Sequence, residues 1–160
     1  MIFVTVGTQK FQFDRLLKEI DSLIASKYIK EKVFIQRGNS TYLPQNAECF
    51  EFVDNTTFER LVNECDLLIT HSGVATIIKG LKLKKKVLVV PRLKKYGEHF
   101  DDHQLQIARA FSERNFVEVC VETSKLLETM DKIGRSQYEE YKSCRDNVIS
   151  VINEYLNDLK

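Results

Sequence analysis

The sequence has only two prolines, Pro44 and Pro91, and six glycines in 160 residues, with no internal repeat and no low-complexity stretch. That scarcity excludes a Pro/Gly-rich linker and argues for one compact unit over residues 1–160, long enough to bury a core. Charge excess is missing as well, because 24 basic side chains face 23 acidic ones. Such a balance gives no reason to expect nucleic acid as the ligand, so any basic site must be local. No run approaches the roughly 18 continuous apolar residues that suggest a membrane span. The opening Met1-Ile2-Phe3-Val4 is too short for a signal core, which favours a cytoplasmic protein. The four cysteines, Cys49, Cys65, Cys120 and Cys144, form no CxxC pair and have no histidine at zinc-finger spacing. Reduced, mostly buried thiols without a structural metal are the expectation. A GxGxxG fingerprint is absent too, since Gly7 is the only glycine in the first strand-to-helix loop, and no NAD or FAD cofactor is expected.

What the chain does have is alternation. Short runs rich in β-branched residues at 2–6, 33–36, 49–53, 67–70, 87–90 and 116–121 read as strands. Between them lie helically spaced apolar sets: Phe13, Leu16, Leu17, Ile20 and Ile24; then Phe58, Leu61 and Val62; then Ile77, Ile78 and Leu81. The fold class is therefore α/β, a Rossmann-like, mostly parallel sheet with helices on both faces, binding ligands beyond the carboxyl ends of its strands. Residues 137–159 place Tyr141, Cys144, Val148, Ile152, Tyr155 and Leu159 on one stripe, the pattern of a long C-terminal amphipathic helix. Such a helix either covers its own sheet, docks a partner, or pairs with a second copy in a homodimer.

Two loops on the ligand-facing rim stand out. Thr70-His71-Ser72-Gly73-Val74-Ala75-Thr76 is a turn of small residues opening a helix, where free amides and the helix dipole suit a phosphate. Ser72 and Thr76 either add hydroxyl donors or simply cap. Pro91-Arg92-Leu93-Lys94-Lys95-Tyr96-Gly97-Glu98-His99 leaves the fifth strand on the same rim, so its cations can face the same anion. Gly7 and Thr8 end the first strand in either a ligand loop or a plain turn. Lys82, Lys84, Lys85 and Lys86 fall on the opposite rim and are read as solvated charges at a helix end. All three histidines, His71, His99 and His103, lie in the rim loops or at the start of the next helix. Asp101, Asp102, His99 and His103 fit helix capping and phosphate contact, and equally a metal site.

In order and spacing, Val4-Thr5-Val6-Gly7-Thr8, Thr70-His71-Ser72-Gly73, Val89-Val90-Pro91-Arg92, Gly97-Glu98-His99 and Asp101-Asp102-His103-Gln104 resemble the C-terminal domain of family 28 glycosyltransferases. The resemblance covers nearly the whole chain and points to the stand-alone form of that domain. It includes the bacterial capsular or exopolysaccharide β-1,4-galactosyltransferase subunits and the eukaryotic dolichol-linked N-acetylglucosamine transferase subunit. It implies the donor lobe of a GT-B enzyme, which holds a UDP-sugar while a membrane-associated partner subunit supplies the lobe for a lipid-linked acceptor.

Carried over by position, the resemblance implies that the turn from His71 to Thr76 holds the diphosphate, with Gly73 allowing close approach. Gln104 meets the donor sugar, Asp101, Asp102 and His103 share its motif, and Glu98 and His99 shape the preceding loop. Lys79 departs from the family, which usually has a ribose-binding glutamate there, and Ile107 stands where many relatives have asparagine. The reaction implied is inverting transfer, galactose being the favoured sugar, to a lipid-diphosphate-linked saccharide at the inner face of the membrane. Arg92, Lys94 or Lys95 would neutralise the departing UDP. His99 or His103 is a possible base, unless the base lies on the partner. Two other readings remain open: a non-catalytic nucleotide-binding or scaffold subunit, and a stand-alone sugar-phosphate isomerase or epimerase.

Overall fold

A computed structural model describes residues 1–142. Six parallel strands form one sheet: β1 (Ile2–Thr5), β2 (Val33–Gln36), β3 (Glu48–Phe50), β4 (Leu67–Thr70), β5 (Lys86–Val89) and β6 (Glu118–Val119). Their order is β3-β2-β1-β4-β5-β6, so the chain reverses its direction of travel across the sheet between β1 and β4. The helices are α1 (Asp14–Ala25), α2 (Asn55–Glu64), α3 (Val74–Lys82), α4 (His103–Glu113) and α5 (Leu126–Arg135).

The period of two along each strand sorts its side chains between two cores. Ile2, Val4, Ile69 and Leu88 pack with Phe13, Leu16 and Ile20 of the α1 segment and with Leu126 and Ile133 of α5. Phe3, Leu68, Val87 and Val89 pack with Leu61 and Val62 of α2, Ile77 and Leu81 of α3, and Ala108 of α4. Because both faces are covered, the strands read as continuous apolar runs and not as alternating ones. Gly80 lets α3 lie close to the sheet: a Cβ there would stand 2.8 Å from Leu68 Cδ2 and 2.9 Å from Val87 Cγ2.

The expected strands all form, although the last shrinks to Glu118–Val119. The expected start of the terminal helix requires a correction: residues 137–142 are not helical and are tied instead to Asn115 and Glu118, while the rest of that expected helix lies outside the described residues. The Glu139 N–H donates to the Asn115 carbonyl at 2.9 Å, the Asn115 side-chain amide donates to the Gln137 carbonyl at 3.4 Å, and the Tyr138 hydroxyl donates to Glu118 at 3.0 Å. Tyr141, expected on the partner-facing stripe, packs edge-on against Phe116 with ring centroids 5.6 Å apart. Val148, Ile152 and Tyr155 lie outside the described residues. On the lower rim Lys84 pairs with Glu140 at 2.7 Å and Lys86 donates to the Gly134 carbonyl, so these lysines are far from the ligand rim as expected.

Full burial of Phe3 in the central strand makes it a sensitive position. Replacing it by alanine should lower unfolding free energy by about 3–5 kcal/mol, measured as a lower urea midpoint with an unchanged slope.

Candidate functional site

The reversal between β1 and β4 opens a crevice at the carboxyl ends of the strands, where the two following loops diverge toward opposite faces of the sheet. One wall is the β1–α1 loop from Gly7, whose φ of +78° places it in the left-handed region that glycine tolerates. The facing wall is the His71–Gly73 turn. The His71 ring lies between the two glycines: a Cβ on Gly7 would fall 2.5 Å from its Cε1, and a Cβ on Gly73 would fall 2.5 Å from its Nε2. The close approach that Gly73 permits is therefore, in the first instance, to His71. Burial, the charge of Arg92 and the charge of His99 push His71 down to about 4, against an opposing hydrogen bond with the Thr5 backbone. The imidazole is neutral at pH 7.

Gly73 is the N-cap of α3, makes no side-chain cap, and is followed by no acidic residue in the first turn. Helix N-terminal amides lack intrahelical acceptors, and Val74, Ala75 and Thr76 line a cleft of about 400 Å³ beside them. Ser72 does not fill the gap. It is 2% exposed, and its hydroxyl is buried without a partner. Besides this turn and the exposed Thr8, the cleft is lined by Gln9, Gln36, Val53, Asn55 and Phe58. Gln9 follows Thr8 in the β1–α1 loop, whereas Gln36, Val53, Asn55 and Phe58 carried no mark of a site in the sequence, because β2, β3 and the start of α2 reach the crevice only through the fold.

Arg92 corrects an expectation. It is fully buried, not turned toward an anion. Nη2 donates to the Val6 carbonyl at 2.7 Å, and Nη1 donates to Phe11 at 2.6 Å, Gln12 at 2.9 Å and Glu98 at 3.4 Å, while Nε has no partner. Burial pulls the guanidinium down to about 10, with Glu98 opposing the shift. Glu98 is likewise inaccessible, taking a two-pronged pair from Arg15 at 2.9 and 3.0 Å and the Leu93 N–H at 2.9 Å. Arg15 also donates to the carbonyls of Pro91 and Val121, and nothing in its sequence context marked it. Lys95 is occupied by Glu122 at 3.0 Å.

Gln104 joins the two rim loops. Its Oε1 accepts the Ser72 N–H at 3.3 Å and the Arg92 N–H at 3.0 Å, and its Nε2 donates to nothing among the described residues. The acids beside it act as local fasteners. Asp101 Oδ1 takes His99 Nδ1 at 2.9 Å and the His103 N–H at 3.0 Å, and Asp102 takes the Lys94 N–H at 2.9 Å. His103 is exposed, with Nδ1 3.3 Å from Gln106. Among the described residues no three His, Cys, Asp or Glu side chains converge as metal ligands. Lys79 donates to Glu59 at 2.8 Å and sits over the Phe58 ring, so a carboxylate from α2 stands beside the position where the resemblance called for one on α3. A wider groove of about 730 Å³ between α2 and α3 shares only Ala75 with the cleft.

The family model for the glycosyltransferase family 28 C-terminal domain matches residues 1–153. Two relatives carry the name UDP-N-acetylglucosamine transferase subunit ALG13. The one from Candida albicans is 32% identical over 79 residues, 49% of this chain and 26% of that protein. The one from Kluyveromyces lactis is 34% identical over 93 residues, 57% of this chain and 43% of that protein. The aligned stretch thus spans less than half of either relative. A crystal structure of the glycotransferase of kitacinnamycin superposes with a TM-score of 0.64 at 15% identity, covering 84% of this chain and 35% of that one. The fold is that of the C-terminal lobe of a GT-B glycosyltransferase, as the sequence led us to expect.

The buried neutral His71 makes stability pH-dependent. Its folded value of about 4 lies below the ordinary 6.5, so between these values the unfolded chain binds a proton that the folded chain refuses. Stability is thus lost as pH falls through that window. From pH 7 to pH 5 this group should remove about 2 kcal/mol, a loss absent from a His71→Asn chain when urea midpoints of the two proteins are compared at both pH values.

Proposed function

The chain belongs to the glycosyltransferase family 28 C-terminal domain family, and on that footing we propose that it is the donor-binding subunit of a two-component inverting glycosyltransferase that uses a UDP-sugar. The observation that carries this reading is the uncapped N-terminus of α3, opening into the cleft at the reversal of the sheet. A diphosphate there accepts hydrogen bonds from the amides of Val74 to Thr76, with Thr76 adding its hydroxyl. The nucleoside runs toward Val53, Asn55 and Phe58, and the sugar runs past Gln104, whose Nε2 remains to donate to a hydroxyl. Glu59, held by Lys79 in the adjoining groove and next in sequence to Phe58 of the cleft, is the carboxylate assigned to the ribose hydroxyls at the border of the two.

As the sugar–phosphate bond breaks, negative charge collects on the departing UDP, and the helix-terminal amides stabilise it in place without reorganising. Arg92 acts indirectly in this reading, holding the β1–α1 loop that faces the turn. The acceptor, a lipid-diphosphate-linked saccharide, enters from a membrane-associated partner. His103 is exposed at the α4 start, and His99 has its Nδ1 held by Asp101, which leaves Nε2 to take a proton, so the base is His99, His103 or a group on the partner. Among the described residues no helix is long and apolar enough to cross a membrane, and attachment to its cytoplasmic face comes through that partner. The relatives' name makes UDP-N-acetylglucosamine one donor to test, and the Arg92 to Gln104 motif makes UDP-galactose another.

Ala75 is exposed in the first turn of α3, where a carboxylate favours the helix and repels a diphosphate. Ala75→Glu should weaken UDP binding by about tenfold or more, on the order of 1.4 kcal/mol, without lowering stability; calorimetry and thermal melts on the 160-residue chain read both. Unchanged UDP affinity would remove the diphosphate from this turn. Glu59→Ala should weaken UDP but leave inorganic pyrophosphate unaffected, which titration of both ligands checks.

A further inference from the structure

Three aromatic rings stand together on the same rim. Phe100 is 67% exposed. Its ring stacks on His99 at 4.3 Å between centroids with 28° between planes, and Phe11 closes the group at 5.0 Å from His99 and 6.2 Å from Phe100. Asp101 fixes His99 through Nδ1 at 2.9 Å. The Arg92 guanidinium ties down the Phe11 carbonyl and the Glu98 carbonyl, one residue before His99. Two loops distant in sequence are thus clamped by one buried cation so that their rings form a wall.

The wall is tied to the start of α4: Asp101 Oδ1 holds both the His99 ring, at 2.9 Å, and the His103 N–H, at 3.0 Å, and the next residue, Gln104, bonds directly to the Ser72 amide. This linkage sets the wall on the Gln104 side of the α3 turn, while Val53, Asn55 and Phe58 line the cleft that receives the nucleoside in the reading above. A ring presented to solvent near an amide with a spare N–H group matches the C–H face of a pyranose, which is apolar while its edge carries hydroxyls for hydrogen bonding.

Resting on the diphosphate reading, we propose that Phe100, backed by His99 and Phe11, is the platform on which the hexose ring of the nucleotide-sugar stacks, with Gln104 Nε2 at its edge. Phe100 then sets affinity for the sugar while leaving affinity for the nucleotide alone. Calorimetry on the full chain with UDP, UDP-galactose, UDP-glucose and UDP-N-acetylglucosamine tests it in the wild type, Phe100→Ala and Phe100→Tyr. The expected result is that at least one UDP-hexose binds more tightly than UDP, that Phe100→Ala removes most of this advantage with UDP affinity within about twofold of wild type, and that Phe100→Tyr restores it. If UDP binds and the advantage survives Phe100→Ala, or if no UDP-hexose outbinds UDP, the platform is wrong and the diphosphate site stands. If UDP itself does not bind, both are wrong.

Discussion

Arg92 sits with no exposed surface at the end of β5, and the ligand rim is organised around it. A guanidinium withdrawn from water is costly unless its donors are answered by well-placed acceptors. Here the acceptors are backbone carbonyls of the β1–α1 loop and of Glu98, groups that a long loop would otherwise leave unpaired in a buried place. The cation and the carbonyls solve each other's desolvation problem. Glu98 supplies the countercharge and is itself gripped by Arg15 from α1, so β5, the loop after it, the loop after β1 and the first helix become one unit. Truncating Arg92 would leave the carbonyls of Val6, Phe11, Gln12 and Glu98 short of partners together, a far larger disturbance than removing a surface cation.

Gln104 extends the unit across the crevice. One carbonyl oxygen receives two backbone amides, from the turn before α3 and from the start of the β5–α4 loop, and fixes their separation. Glutamate could also accept both, but would place a negative charge beside the uncapped helix end and offer no donor outward. Glutamine accepts inward and retains an N–H group for a ligand. His71 contributes by being neutral: held between Gly7 and Gly73, it fills the floor of the crevice without adding a charge that a diphosphate site would feel.

Much of the fold was legible because burial on both faces of a parallel sheet leaves a strong mark: Ile2 to Val6, with Thr5 as the one polar residue, and Val87 to Val90 form near-continuous apolar runs, and the intervening helices carry their stripes. The position of the His71–Thr76 turn at the carboxyl end of β4 was legible too, since a run of small residues between a strand and a helix marks a close turn. Side-chain direction was not. Arg92 reads as a surface cation from composition alone, and only the path of the β1–α1 loop reveals that carbonyls are waiting for it. Phe58 and Asn55 border the cleft because β3 lies two strands from β1, a spatial fact that no local pattern encodes. The tail from residue 137 has a helical stripe, yet over 137–142 it is tied to Asn115 through the Glu139 N–H and the Gln137 carbonyl and to Glu118 through the Tyr138 hydroxyl, contacts that no local pattern announces. The helix α5 had a readable stripe in Leu126, Leu127, Met130 and Ile133, and was overlooked beside the longer pattern that follows it.

Most helices carry at their start a serine, threonine, aspartate or asparagine that answers the first free amides, and a glycine in that place costs roughly a few tenths of a kcal/mol. α3 has a glycine there and a neighbouring serine whose hydroxyl is turned into the interior. The folded chain thus lacks a stabilising contact that an anion in the crevice can supply from outside. Anything that binds the folded form alone adds to its stability in proportion to the logarithm of its concentration. Under the proposed function, the nucleotide-sugar that this lobe binds also caps α3 from outside, so that resistance to unfolding rises with the supply of donor.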